Sequence, residues 1–150
     1  MGTTTGAGTS LSISAGTPAS QLAAGYAALT FTEIGNIERL GSFGATTDVI
    51  TFQPLKGPVQ KHKGPTNYGS LQPSAAHDDA DAGQTLLRTA ADNATALYAF
   101  KVVYPDGAIR YFQGRVFGYP ESVDGSTSMV MANPTVEIST AIVKVAAPVV

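Results

Sequence analysis

The run His77-Asp78-Asp79-Ala80-Asp81 is the cluster in this sequence with metal-ligand character. Its carboxylates would suit a hard cation such as Mg²⁺ or Ca²⁺. The run lacks the glycine and distal glutamate of a calcium loop, and it stands directly before a helical pattern. Asp81 followed three residues later by Gln84 has capping-box spacing. Asp78 and Asp79 just upstream would favour the positive end of the same helix. A helix cap therefore accounts for all three aspartates, and no metal is expected.

Nucleophilic catalysis has no better footing. Ser, His and Asp are present, but no Gly-x-Ser-x-Gly elbow occurs. The two histidines, His62 in a basic stretch and His77 beside the helix start, fit solvent or interface positions. No glycine-rich phosphate cradle follows a strand. The sequence therefore predicts no catalytic residue, no cofactor and no enzyme. Lys56, Lys61, His62 and Lys63 concentrate positive charge between Pro54 and Thr66, but too briefly and with too few aromatics for a nucleic-acid platform. Three prolines in that stretch lower the entropy lost on ordering, which suits a loop that binds something.

The elements that would position these residues read as mainly β. Leu97 to Tyr104 and Ala108 to Phe117 are rich in Val, Tyr and Phe and flank Pro105-Asp106-Gly107, a hairpin signal. Thr127 to Ser139 is expected to add a third strand. Earlier in the chain, Leu11 to Ser14 suggests a short edge strand, Ala15 to Gly25 an extended arm rather than a helix, and Ala28 to Glu33 a strand. Ile34 to Leu40 continues as strand or bend with a bulge at Gly35, followed by a turn at Gly41 to Gly44 and a strand at Asp48 to Gln53. Residues 54–66 then read as a projecting loop and Tyr68 to Ser74 as extended. One helix is expected over about 81–93, with Leu87, Ala90, Ala91 and Ala94 on its apolar stripe and Asn93 closing it. The sum is a single domain over 1–150: a two-sheet β-sandwich or partial barrel with one flanking α-helix and arms at 1–25 and 141–150.

Composition narrows the function classes. Charged residues make up 13% of the 150, against roughly 25% in an average domain. Gly, Ala, Ser and Thr fill the difference, which suggests that neighbouring subunits cover part of the surface. A net charge of −2 gives no global basic field for nucleic acid or membranes. Cysteine is absent, so thiolate chemistry and disulfides are excluded. No run of apolar residues reaches membrane-spanning length, and the N-terminal Met1-Gly-Thr-Thr-Thr-Gly-Ala-Gly does not read as a signal peptide.

The order of motifs resembles the tail tube (major tail) proteins of long-tailed bacteriophages. The residues that carry the resemblance are Pro18, Phe31-Thr-Glu-Ile-Gly35, Gly41-Ser-Phe-Gly44 and Asp48-Val-Ile-Thr-Phe52. They continue with Gly64, Gly69, Asp78-Asp-Ala-Asp-Ala-Gly-Gln-Thr-Leu-Leu87 and the Tyr98 to Gly114 hairpin. The resemblance covers roughly residues 11–140. It implies a structural virion protein with a barrel-like fold that forms rings, usually hexameric. The rings stack into a hollow tail tube through which DNA passes without sequence-specific binding. Tape-measure and tail-end proteins would be its other partners, no membrane is involved, and synthesis would be in the host bacterial cytoplasm. The rival expectation is a small β-sandwich binding or decoration module that does not polymerise.

Three expectations about surfaces follow. Lys56, Lys61, His62 and Lys63 would dock on a neighbouring subunit, with Asp78, Asp79 and Asp81 meeting them in trans. Asn133, Thr135, Glu137 and Ser139 would share a polar face lining the lumen, where a wall without basic charge lets DNA slide. Residues 1–25 and 141–150 would contact neighbouring subunits, because apolar residues in an unpaired tail bury area only on a partner.

Overall fold

The structure is a computed structural model that describes residues 3–147. Met1, Gly2 and residues 148–150 of the expected arms lie outside the described residues. The chain runs β1 (Ser10–Ser14), α1 (Ala23–Ala27), β2 (Thr32–Ile34), β3 (Ile37–Arg39), β4 (Thr46–Phe52), β5 (Gln60–Asn67), β6 (Ser70–Leu71) and β7 (Ser74–Ala76). It continues with α2 (Ala82–Asp92), β8 (Tyr98–Val103), β9 (Ile109–Gly118), β10 (Glu121–Ser122), β11 (Met131–Ala132), β12 (Thr135–Ile138) and β13 (Val143–Val145). The fold is mainly β, a sandwich of antiparallel sheets with a flanking helix, as the sequence indicates.

The β8–β9 hairpin is the centre. Alternation places Phe100 and Phe112 opposite each other on one face, stacked with ring centroids 5.5 Å apart. The connection closes through Gly107 N–H to the Tyr104 carbonyl, and Gly107 takes a φ of +97°, which glycine adopts without steric cost. The seven-stranded sheet is ordered β2-β1-β8-β9-β12-β6, with β13 also on β9. Leu11, Ile13, Phe100, Phe112, Val116 and Val136 line one face, and Leu87 and Ala90 of α2 complete that core. Each large side chain so buried contributes about 1.5–3 kcal/mol.

The opposite face is covered as well, and here several expectations are corrected. Leu11 to Ser14 does not form an edge: β1 lies between β2 and β8, and Ser12 and Ser14 are buried. They are buried because residues 15–31 fold back over them rather than extending as an arm. The sheet is thus packed on both sides, and short serines permit the close approach. α1 lies within this segment, making two helices among the described residues instead of one. Five residues are too few to nucleate a helix alone, so tertiary contact must hold it. Tyr26 stacks on Tyr111 with centroids 5.2 Å apart, and its hydroxyl donates to Gln21, whose amide donates to Gln113. The expected strand over 28–33 shrinks to Thr32–Ile34, since Leu29 and Phe31 pack into this second cluster.

Proline and pairing partners redraw the remaining strands. The expected third strand over 127–139 is two strands in different sheets. Asn133-Pro134 interrupts it, sending β11 to the four-stranded sheet and β12 to β9. Tyr68 to Ser74 is likewise divided, β6 joining the larger sheet and β7 the smaller. The C-terminal arm is in part a strand, because β13 pairs in register with Tyr111, Arg110 and Ile109 of β9. The four-stranded sheet is ordered β10-β11-β7-β3, and β4 and β5 form a separate pair.

α2 follows the expected helix within a residue, and Ala94 falls just past its end. Asp81 caps it, accepting from Gln84 N–H at 2.9 Å, and the same oxygen accepts from Gly35 N–H at 3.1 Å. Asn93 closes it, accepting from the N–H groups of Thr95 and Ala96. Gly35 is therefore no bulge; it anchors the β2–β3 bend to the helix start, with Asn36 at φ +60°. The Gln84 side chain is fully buried. Its amide donates to the carbonyls of Gly35 and Ala76, and its oxygen accepts from Asp78 N–H and the Tyr119 hydroxyl. Gln84→Ala is expected to cost roughly 3 kcal/mol, because it strands several buried polar groups at once. Urea unfolding would show this as a lowered midpoint with little change in slope.

Candidate assembly surface

β4 and β5 stand apart from both cores. Every residue of β4 is exposed, and β5 is exposed apart from partly buried Gly64. The expected loop over 54–66 is therefore corrected to a projecting hairpin whose connection spans only residues 53–59. Pro58, Gly64 and Pro65 read as breakers, yet Pro65 falls at the register shift between Thr47 and Val49, where a ladder N–H is not required. Gln53 stiffens the tip by donating to the carbonyls of Pro54 and Gly57.

Cross-strand register sorts the side chains. Phe52 lies opposite Gln60 and Ile50 opposite His62, so these share one face; Thr51 lies opposite Lys61 and Val49 opposite Lys63 on the other. The expected basic cluster is consequently divided. Lys61 and Lys63 act together, His62 belongs with the apolar residues on the reverse, and Lys56 sits in the connection. Sequence reading weighed these cations and passed over their apolar neighbours. Val49, Ile50, Phe52 and Val59 are each at least half exposed, and Leu55 at the tip is wholly so. The available signal was Leu55 between two prolines, a large apolar residue at a turn position.

The acidic residues have different fates. Asp81 is committed to the α2 cap, and Asp78 accepts from Ala80 N–H in a local turn. Asp79, expected to favour the helix terminus, instead pairs with Arg88 at 2.6 Å and lies 2.9 Å from His77 Nε2. His77 also lies 3.4 Å from the Tyr119 hydroxyl and 3.7 Å from Glu121, and Arg88 stacks over the Tyr119 ring. Burial raises the Tyr119 hydroxyl above its ordinary value, so it stays a hydrogen-bond donor to Gln84. These contacts make an ion-pair and hydrogen-bond network. Among the described residues, no three His, Asp or Glu side chains come together as a metal-holding group.

Of the residues expected on one polar face, Thr135 and Glu137 lie in β12 with Val136 and Ile138 buried behind them. Glu137 is paired with Arg115 on β9 and with Ser70 on β6, so a base shares its face. Ser139 is exposed just past the strand. Asn133 does not belong to that face. It precedes the strand and is held by the Ser74 hydroxyl, which donates to it, because Pro134 turns the chain between the two sheets. No helix among the described residues is long and apolar enough to cross a membrane.

No family model matches the sequence, and no curated protein matches it. Similarity enters through the fold. The protein shares its architecture with a chain of the cryo-EM structure of the anti-feeding prophage baseplate, six-fold symmetrised. The TM-score is 0.64 over 94% of each chain, at 9% sequence identity.

The Asp79 network has a testable sign. The Arg88 guanidinium first, and His77 second, hold the Asp79 carboxyl below its ordinary value of 3.8. A depressed acid contributes stability above that ordinary value and loses it as pH falls through the folded value. Asp79→Asn should therefore be less stable than the parent at pH 7, with the difference shrinking below pH ~4. Urea midpoints across that range would measure it, and a difference independent of pH would contradict the assignment.

Proposed function

We propose that this protein is a non-enzymatic structural subunit of a phage-like tail, one that self-assembles into rings that stack as a hollow tube. The observation that carries this is the β4–β5 hairpin. Its two strands lie outside both cores while exposing Val49, Ile50, Phe52 and Leu55 to solvent. A two-stranded ribbon with no sheet behind it is marginally stable in water, and apolar residues on it gain only when a partner covers them. The likeness to a chain of a baseplate assembly, over nearly the whole length, supports the same reading.

In this reading the rings are hexameric and the tube lies in the virion tail, after synthesis in the host cytoplasm. Tape-measure and tail-end proteins meet it at the ends. DNA passes through the bore without sequence-specific contact. The lumen-facing surface is the part of the larger sheet that α1 leaves open, comprising Ser70, Arg115, Thr135 and Glu137. Balanced charge there avoids the counterion-release grip that a basic wall would exert on phosphates.

The purified chain should form rings or tubes in negative-stain micrographs and sediment as large species. Phe52→Glu combined with Leu55→Glu should remain monomeric, with the parent's far-UV spectrum and a stability within about 0.5 kcal/mol, because both positions are on the surface. Assembly of that variant at the parent's rate would refute the hairpin reading. A parent chain that stays monomeric at all concentrations would favour a decoration module.

A further inference from the structure

Resting on that reading, the surface that receives the hairpin on the neighbouring copy can be located. We propose that it is the tip of the β10–β11 ribbon, residues 121–131, and that the occupant is the β4–β5 hairpin of a second copy of this chain.

The tip has the matching chemistry. β10 and β11 pair at Glu121 with Ala132 and Ser122 with Met131. Extending that register by one residue sets Val123 against Val130. Val123 is 75% exposed, Met129 69% and Val130 37%, so the tip presents a second apolar surface. Its charge is acidic, from Glu121 and Asp124. His77 N–H donates to the Val130 carbonyl, which brings the Asp78–Asp79 turn alongside. The hairpin carries Lys56, Lys61 and Lys63 against the single acid Asp48. Val49, Lys61 and Lys63 share a face, so one surface offers both an apolar contact and two cations.

Of the acids first expected to meet these lysines, Asp79 and Asp81 are poorly placed to do so. Asp79 is committed to Arg88, and Asp81 to two backbone N–H groups. Asp124 has no ion pair or hydrogen bond among the described residues, and Glu121 reaches only to 3.7 Å from His77. They are the carboxylates of the tip itself, and each can gain from a cation supplied in trans. Charge pairs at such a rim fix register and speed encounter more than they add affinity.

Position supports the pairing. In the four-stranded sheet β3 is one edge and β10 the other. The hairpin leaves the chain directly after β3, while the tip belongs to β10 and β11. Three strand spacings, roughly 14 Å, separate the two edges. Donor and acceptor surfaces on opposite edges of one sheet are what a head-to-tail contact requires.

The sequence has no cysteine, so single cysteines give an unambiguous readout. Copies carrying Leu55→Cys would be mixed with copies carrying Met129→Cys and treated with a short bis-maleimide. The expected result is a mixed dimer forming about tenfold faster than between Leu55→Cys and Ala94→Cys, an exposed control, because docking raises the effective concentration. Val123→Glu with Met129→Glu, introduced into the full chain, should abolish assembly and keep the parent's spectrum. Equal cross-linking rates to Met129→Cys and to the control would overturn the proposal. If the Phe52→Glu, Leu55→Glu variant is then still monomeric, the hairpin reading survives and only the receiving surface is wrong. If that variant also assembles normally, both fall.

Discussion

The Gln84 side chain has no solvent exposure, and its amide meets partners from four separate segments. Gly35 lies in the β2–β3 bend, Ala76 ends β7, Asp78 opens the turn before α2, and Tyr119 links β9 to β10. An amide taken from water without partners costs several kcal/mol, so a satisfied arrangement is strongly preferred over every partly satisfied one. Both edges of the four-stranded sheet are referred to this one group: β3 through the Gly35 bend, β10 through Tyr119. Asp81 ties the same bend to the helix through its own carboxylate. The anchor ties the β2–β3 bend, the end of β7 and the β9–β10 link to the start of α2.

The larger sheet is made rigid in a different way. Its one face packs on α2 through Leu87 and Ala90, and its other receives the α1 segment through Tyr26. With both faces covered near Tyr111, the sheet has little freedom to flex. The remaining open edges are β2 and β6, which terminate the strand order, and the outer side of β13 on β9. All are short, three, two and three residues. Short edges are one of the means by which soluble β proteins avoid uncontrolled pairing. The hairpin root lies between β3 and β6, so the ribbon emerges where an edge of each main sheet ends.

What could be read from the sequence was whatever carried a local signature. The β8–β9 hairpin combines alternation with Pro105-Asp106-Gly107, and α2 combines a cap residue with a helical stripe; both were legible to within a residue or two. β5 was not. An exposed ribbon has no buried face, so Gln60 to Asn67 shows no apolar alternation, and its glycine and proline read as breaks. α1 was not legible because its stability comes from the Tyr26–Tyr111 stack, whose partners are far apart in the chain. β1 was found but placed at an edge. Nothing local in Leu11 to Ser14 shows that a distant segment covers Ser12 and Ser14. The acidic run shows the same limit: Asp81 obeys a local capping rule, while Asp79 answers to Arg88 on the far side of the helix turn.

The two exposed apolar surfaces differ in composition and in sign. The hairpin joins Val49, Ile50, Phe52 and Leu55 to lysines; the tip joins Val123, Met129 and Val130 to carboxylates. Pairing each patch with its own copy would oppose Lys61 and Lys63 to themselves and Asp124 to itself. Like charges so placed are unfavourable, and the penalty grows as the apolar residues beside them exclude water. A contact between unlike patches removes that penalty and, where it is head-to-tail, leaves one of each kind unfilled at the ends of any chain of copies. Growth then stops only when the rotation between neighbours closes a ring, or continues as a filament when it does not. The asymmetry of charge between the two edges of one small sheet thus disfavours contacts between like patches and favours contacts between unlike ones, whichever symmetry relates the copies.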